Sequence, residues 1–136
     1  MNEFPLKIVT PAGLRFDGQA QQLIVRTTGG DVAILARHVN YVASLGMGEA
    51  SITVDGQKRY AACMGGMVSV VDGAVTLVPA SFEWAEDIDV ERAKSSEDRA
   101  KGVLDTSNVS DTDVRLASAR LKRALIRQNV ASHRPK

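Results

Sequence analysis

One cysteine, two histidines and a single tryptophan beside two tyrosines and three phenylalanines leave this 136-residue chain poor in the side chains that carry most chemistry. Each shortage removes a class of function. A lone Cys63 cannot close an internal disulfide, which fits a reducing compartment, and beside Met64 in a strand-like run it reads as a small core residue rather than a reactive thiol. So few aromatics give no stacking platform for nucleic-acid bases. His38 and His133 sit in no His/Cys/Asp spacing that suits a metal, and no G-x-S-x-G elbow is present. His38, inside "LARHVNY", reads as a turn or surface residue rather than a general base. A net charge of +1 supplies no overall field for nucleic acid or membrane. No apolar run approaches the roughly 18 residues of a membrane span. The opening "MNEFPLKIV" lacks the basic-then-apolar order of a signal peptide. The expectation is a soluble, intracellular protein that is not an enzyme on its own.

What is present divides into two halves. From Phe4 to about Phe82, turn signals recur at short intervals: Pro11-Ala12-Gly13, Asp17-Gly18, Gly29-Gly30, Asp55-Gly56, Gly65-Gly66 and Asp72-Gly73. Between them lie short β-branched runs such as "LIVRT", "ASITV" and "AVTLV". "ASITVDGQKRYAACM" and "MVSVVDGAVTLVP" read as hairpins turning at Asp55-Gly56 and Asp72-Gly73, because Asp-Gly supplies the positive φ that a tight turn requires. Many short strands with regular turns predict an all-β sandwich or barrel.

At Glu86 the physics changes. Val90, Ala93, Ala100 and Leu104 fall near one face of a helix that Asp89 is placed to cap. "DTSNVSDTD" interrupts the pattern, and a second helix is expected from Ser110 or Thr112, with Val114, Ala117, Leu121, Ala124 and Leu125 at helical spacing. The reading is an α+β chain: a β domain over residues 1–85, then an antiparallel two-helix hairpin over 86–136. The hairpin is polarised. Glu86 to Asp113 holds nine acids and four bases; Val114 to the end holds seven bases and no acid. Its apolar faces rely on alanines, each burying about one methyl worth roughly 0.8 kcal/mol. Gly102 and Ser95-Ser96 weaken the first helix further. Such a hairpin is expected to be loosely held.

"TTGGDVAIL" has paired glycines but no following lysine or helix start, so it reads as a turn, not a phosphate loop. In "IDVERA", Asp89 and Arg92 lie one turn apart on a helix, and a capping aspartate with a local cation explains the residues without a ligand.

The order of these segments resembles the epsilon subunit family of bacterial F-type rotary ATP synthases. "LKIVTPAGLRFDG" is similar to the family's first hairpin, with its Thr/Ser-Pro-x-Gly turn. "GDVAILARHVNY" takes the place of Gly-Ile-Leu-Pro-Gly-His-Ala-Pro, keeping Ile34, Leu35 and His38 while Ala33, Ala36, Arg37, Val39 and Asn40 depart from it. "CMGGMVSVV" resembles Ser-Gly-Gly-Phe-x-Glu-Val, and "EDIDVERA" resembles the Ile/Leu-Asp-x-x-Arg-Ala motif. The likeness runs from about Phe4 to Gln128.

The resemblance implies a flattened sandwich of about ten strands plus a mobile helical hairpin, in a non-catalytic rotor subunit. It implies that the sandwich binds the gamma subunit and sits on the c-subunit ring, with Asp31, Arg37 and His38 as ring contacts. Extended, about 40 residues of helix reach some 60 Å along gamma, where the hairpin blocks hydrolysis by the alpha/beta subunits. Arg115, Arg120, Lys122, Arg123 and Arg127 are the residues expected to meet an acidic beta segment. Some family members bind ATP in the folded hairpin. Carried over, that site is Ile88, Asp89, Arg92, Ala93, Arg120, Arg123 and Arg127, with weak binding expected because Lys122 supplies charge without an arginine's planar fork. No cofactor is required and no nucleic acid is expected. The implied location is peripheral, on the cytoplasmic face of the inner membrane. Two other classes compete: a standalone module whose basic second helix engages nucleic acid or acidic protein, and a small ATP sensor outside any synthase.

Overall fold

The computed structural model describes residues 2–134; Met1, Pro135 and Lys136 lie outside the described residues, and with them one cation of the basic C-terminal stretch. Ten strands come first: β1 (Phe4–Thr10), β2 (Gly13–Ala20), β3 (Gln22–Thr27), β4 (Gly30–Ile34), β5 (Tyr41–Ser44), β6 (Met47–Val54), β7 (Gln57–Met64), β8 (Met67–Val71), β9 (Ala74–Val78) and β10 (Ser81–Trp84). A single 3-10 turn (Ala85–Asp87) leads to α1 (Val90–Leu104) and α2 (Asp111–Ala131). The strands form two five-stranded sheets, ordered β2-β1-β9-β8-β5 and β10-β7-β6-β3-β4. The pairing is antiparallel except between β1 and β9. The expected sandwich and hairpin are both present.

Alternation builds the sandwich core, since successive strand residues point to opposite faces. Phe4, Leu6 and Ile8 of β1, Leu23 and Val25 of β3, Val68 and Val70 of β8, and Val75 and Leu77 of β9 turn inward and are buried. Each such side chain contributes about 1.5–3 kcal/mol on leaving water. Both Asp-Gly turns form as read. Asp55 and Gly56 have φ of 51° and 78°, and Asp72 and Gly73 have 49° and 82°, the mirror-image geometry that matches strand twist.

The loop after β4 lacks the prolines and glycines of the resembled pattern and is tied by two hydrogen bonds. His38 Nδ1 donates to the Val39 carbonyl at 2.8 Å, and Asn40 Oδ1 accepts from the Asp72 backbone N–H at 2.8 Å. Arg37 sits at φ 63°, in the left-handed region, where the resembled family carries glycine. That conformation costs an L-residue about 1–2 kcal/mol, partly offset by the extra chain entropy a glycine would lose on folding. Arg37→Gly is therefore expected to raise unfolding free energy by about 0.5–1 kcal/mol in a urea titration. A loss of stability would show that the Arg37 side chain itself holds the loop.

In the hairpin, Asp89 Oδ1 accepts from the Arg92 backbone N–H at 3.0 Å, and Ser110 Oγ accepts from Asp113 N–H at 3.1 Å. Asp89 caps α1 as its position predicts, and Ser110, one of the two residues at which the second helix is expected to start, is the cap of α2. The helix faces are corrected, however. Val90, Val114 and Leu125 are exposed, and the buried seam between the helices is Ala93 and Ala100 against Ala117 and Ala124. Small residues seven apart on each helix let the axes approach closely, which pushes the longer side chains to the flanks. Polar groups reinforce the seam: Gln128 Nε2 donates to Glu97 Oε1 at 2.8 Å, and Lys101 and then Gln128 hold the Glu97 carboxyl below the usual range.

Candidate functional site

Helical spacing gathers cations into a cleft between the hairpin and the edge of the second sheet. Arg92, Ser96 and Arg99 of α1 stand at i, i+4 and i+7, so one face of the helix presents all three. Arg120, Arg123 and Arg127 of α2 stand at i, i+3 and i+7 and face them across the cleft. Glu83 and Ser81 of β10 also line it, with Asp87 and Asp89. The cleft measures about 670 Å³, within the roughly 300–1,000 Å³ of small-molecule sites.

Its electrostatics are uneven. Arg127 Nε donates to Glu83 Oε1 at 2.5 Å, and Asp89 is committed to its helix cap. Arg92, Arg99, Arg120 and Arg123 make no ion pair among the described residues. Four planar guanidinium groups with no carboxylate partner, facing one another across a cleft, suit a polyanion such as a polyphosphate.

The structure thus gathers six of the seven residues proposed for nucleotide contact: Asp89, Arg92, Ala93, Arg120, Arg123 and Arg127 line the cleft. Ile88 does not. It is 4% exposed and plugs a second apolar cluster with Ala62, Met64, Ala85, Val130 and Ala131. There it packs the junction between sandwich and hairpin. Sequence reasoning missed Arg99 and Glu83. The seven-residue step from Arg92 could have found Arg99, whereas Glu83 reaches the cleft only through the pairing of β10 with β7.

The ring-contact candidates separate. Asp31 lies on the outward face of the second sheet, clamped by Arg26, whose Nε donates to Oδ1 at 2.6 Å. Arg37 and His38 lie in a different groove, of about 400 Å³, with Asn40 and Asp72. Of the cations proposed to meet a beta subunit, Arg120, Arg123 and Arg127 point into the cleft, while Lys122 lines a third groove on the far flank of α2 and Arg115 is exposed near the helix start.

A second surface stands out on the other sheet. Val42, Met67, Val71 and Val78 are 64%, 44%, 56% and 46% exposed. Met67 pairs with both Val78 and Ser44, and Val42 with Ser69, so these residues share the outward face of neighbouring strands. The hairpin covers the opposite sheet and leaves this face bare. Such an apolar face marks an interaction surface. Burial pushes the Cys63 thiol up to about 12, which makes it inert. Among the described residues there is no metal-binding group of His, Cys, Asp or Glu, and no helix long and apolar enough to cross a membrane.

Comparison with known proteins agrees with this two-part plan. Residues 3–85 match the beta-sandwich domain of the ATP synthase delta/epsilon chain, and residues 86–132 match its long alpha-helix domain. The chain is 43% identical to the ATP synthase epsilon chain of Ruminococcus albus over 133 residues, covering 97% of this chain and 98% of that one. It is 38% identical to that of Bacillus velezensis, covering 98% and 100%. Its fold resembles a chain in the mitochondrial ATP synthase of Euglena gracilis, at a TM-score of 0.70 and 18% identity, covering 97% of this chain and 79% of that chain. One in the central stalk and c-ring assembly of Tetrahymena thermophila gives 0.65 at 14%, covering 93% and 95%.

Proposed function

The chain belongs to the ATP synthase delta/epsilon chain family, and from that membership we propose that it is a non-catalytic central-stalk subunit of an F-type ATP synthase, coupling rotation between gamma and the c-ring and restraining ATP hydrolysis through its helical hairpin. The observation that carries this is the end-to-end match: sandwich and hairpin align in order with epsilon chains over nearly their whole length. The standalone readings are not favoured, because they leave that correspondence without a cause.

Each partner is assigned to a surface. Gamma takes the bare apolar face around Val42, Met67 and Val78, the one sheet face the hairpin does not use. The c-ring meets the loop of Arg37 and His38, at the peripheral, cytoplasmic side of the inner membrane. Asp31, held by Arg26 on another face, belongs to that contact less directly. The cleft takes ATP, its phosphates among Arg92, Arg99, Arg120 and Arg123, which supports the reading of the folded hairpin as a nucleotide-stabilised pose. Arg120, Arg123 and Arg127 are also the cations assigned to the catalytic beta subunit. The same guanidiniums cannot serve both, so nucleotide in the cleft competes with the inhibitory, extended pose.

The test is the synthase assembled with and without residues 86–136. The truncated subunit is expected to copurify with gamma and to raise ATP hydrolysis by about threefold or more, as when a majority inhibited population is removed. Failure to copurify would end the rotor assignment; unchanged hydrolysis would end the regulatory half alone.

A further inference from the structure

The third groove lies on the flank of α2 that the arginine cleft does not use. Lys122, Leu125, Ile126 and Asn129 stand at i, i+3, i+4 and i+7, so one face of the helix presents all four to it. The facing wall is the outer surface of the second sheet. There Ser51 of β6 pairs with Ile24 of β3 on one side and Tyr60 of β7 on the other, a continuous row across the floor. The groove measures about 620 Å³, a size that suits a small molecule, and shares no lining residue with the arginine cleft.

Ser51 is the residue that points to a ligand. Its strand neighbours Ala50 and Ile52 belong to the sandwich core, so alternation turns Ser51 the other way, toward the groove. It is 7% exposed, and its Oγ has no hydrogen-bond partner among the described residues. A buried hydroxyl in that condition is uncommon, because nothing compensates its lost hydration. Turned about its one side-chain bond, it can donate to an acceptor held in the groove.

The charges along the walls say what that acceptor is. Arg26 is taken up by Asp31 at 2.6 Å, and the Glu49 carboxylate is met by His133 Nδ1 at 2.6 Å. Lys58 and Lys122 make no ion pair among the described residues, so the cations are left in excess. Between them the lining is apolar: Leu125 is 47% exposed, and Ile24 and Met47 are half-buried. We propose that this groove binds a small amphipathic organic anion, its carboxylate held by Lys58, Lys122 and Ser51 and its apolar body on Ile24, Met47 and Leu125. Ammonium groups serve a lone carboxylate as point charges, whereas the planar forks of the other cleft suit a polyphosphate. The site goes beyond the synthase function and does not rest on it, since both walls belong to this chain alone.

The test uses 2-naphthoate as the probe, with calorimetry and amide-shift mapping on the full chain. Saturable one-to-one binding is expected, with the largest shifts at Ile24, Ser51, Lys58 and Leu125. 2-Naphthamide, the same body without the charge, should bind at least about fivefold more weakly. Lys58→Glu and Lys122→Glu should each weaken naphthoate about five- to tenfold. Both lysines are exposed and unpaired, so the fold does not depend on them. Ser51→Ala should cost about threefold while leaving the fold intact, because it removes a hydroxyl that has no partner. Saturating ATP should not displace the probe. Absence of saturable binding, equal affinity for naphthamide, indifference to the lysine reversals or to Ser51→Ala, or displacement by ATP would each overturn the site. These readings are made on the isolated chain, so their failure leaves the synthase assignment standing. Failure to copurify with gamma would likewise leave this groove untouched.

Discussion

Gly66→Ala is expected to cost more than about 4 kcal/mol and to leave little folded chain. Gly66 follows Gly65 where the chain leaves β7 in one sheet and enters β8 in the other. A Cβ on Gly66 would stand 2.1 Å from the Val78 carbonyl oxygen and 2.6 Å from Pro79 Cα. Both atoms are backbone, so no rotamer change relieves the clash. Its φ of 96° adds strain that an L side chain rarely bears. Nor can the turn shift as a unit. Leu45 N–H donates to the Gly66 carbonyl at 2.8 Å, Gly65 N–H to the Gly46 carbonyl at 3.0 Å, and Ala80 N–H to the Gly65 carbonyl at 3.3 Å. Gly65→Ala is the control: its Cβ would meet only the Ala80 Cβ at 3.6 Å, leaving a conformational cost of about 1–2 kcal/mol. Urea unfolding followed by circular dichroism separates the two. If Gly66→Ala melted with the parent, the close approach to Val78 and Pro79 would be wrong.

The contrast between those glycines shows what the sequence made legible. "CMGGM" announces a turn, because paired glycines signal unusual backbone angles. Which glycine is irreplaceable depends on Val78 and Pro79, brought there by the pairing of β8 with β9. The same division holds elsewhere. The Asp-Gly hairpins and the Asp89 cap follow from local chemistry, and each appears where its residues stand. The faces of the helices were less legible, since valine and leucine are the stronger apolar signals yet alanine won the seam for want of bulk. Ile88 looked like part of a ligand motif, but its neighbour in space is Val130, and no periodicity links the hinge to the far end of α2. The cleft was half legible: spacing on one helix predicts which arginines share a face, while the opposing Glu83 comes from a strand in another domain.

That glutamate decides the second large effect, on nucleotide affinity. Glu83 holds Arg127 at the cleft wall; with ATP in the cleft as proposed, its carboxylate would both occupy that cation and repel the phosphates. Glu83→Gln removes the charge while keeping an oxygen that can accept from Arg127. ATP binding to the isolated chain, measured by calorimetry, is then expected to tighten about three- to tenfold, an electrostatic gain of about 1 kcal/mol. Arg92→Glu acts in the opposite sense. It deletes a charge-assisted bond worth about 1.5–3 kcal/mol and adds a repelling carboxylate, for a loss of about a hundredfold or more. Arg92 has no ion pair among the described residues, so the hairpin does not depend on it for its fold. Both shifts should shrink as salt screens the half-open cleft. The opposite signs protect the interpretation: general loosening of the hairpin would weaken binding in both variants. Equal affinities for parent, Glu83→Gln and Arg92→Glu would place the nucleotide elsewhere and leave Arg120, Arg123 and Arg127 to the proposed beta-subunit contact alone.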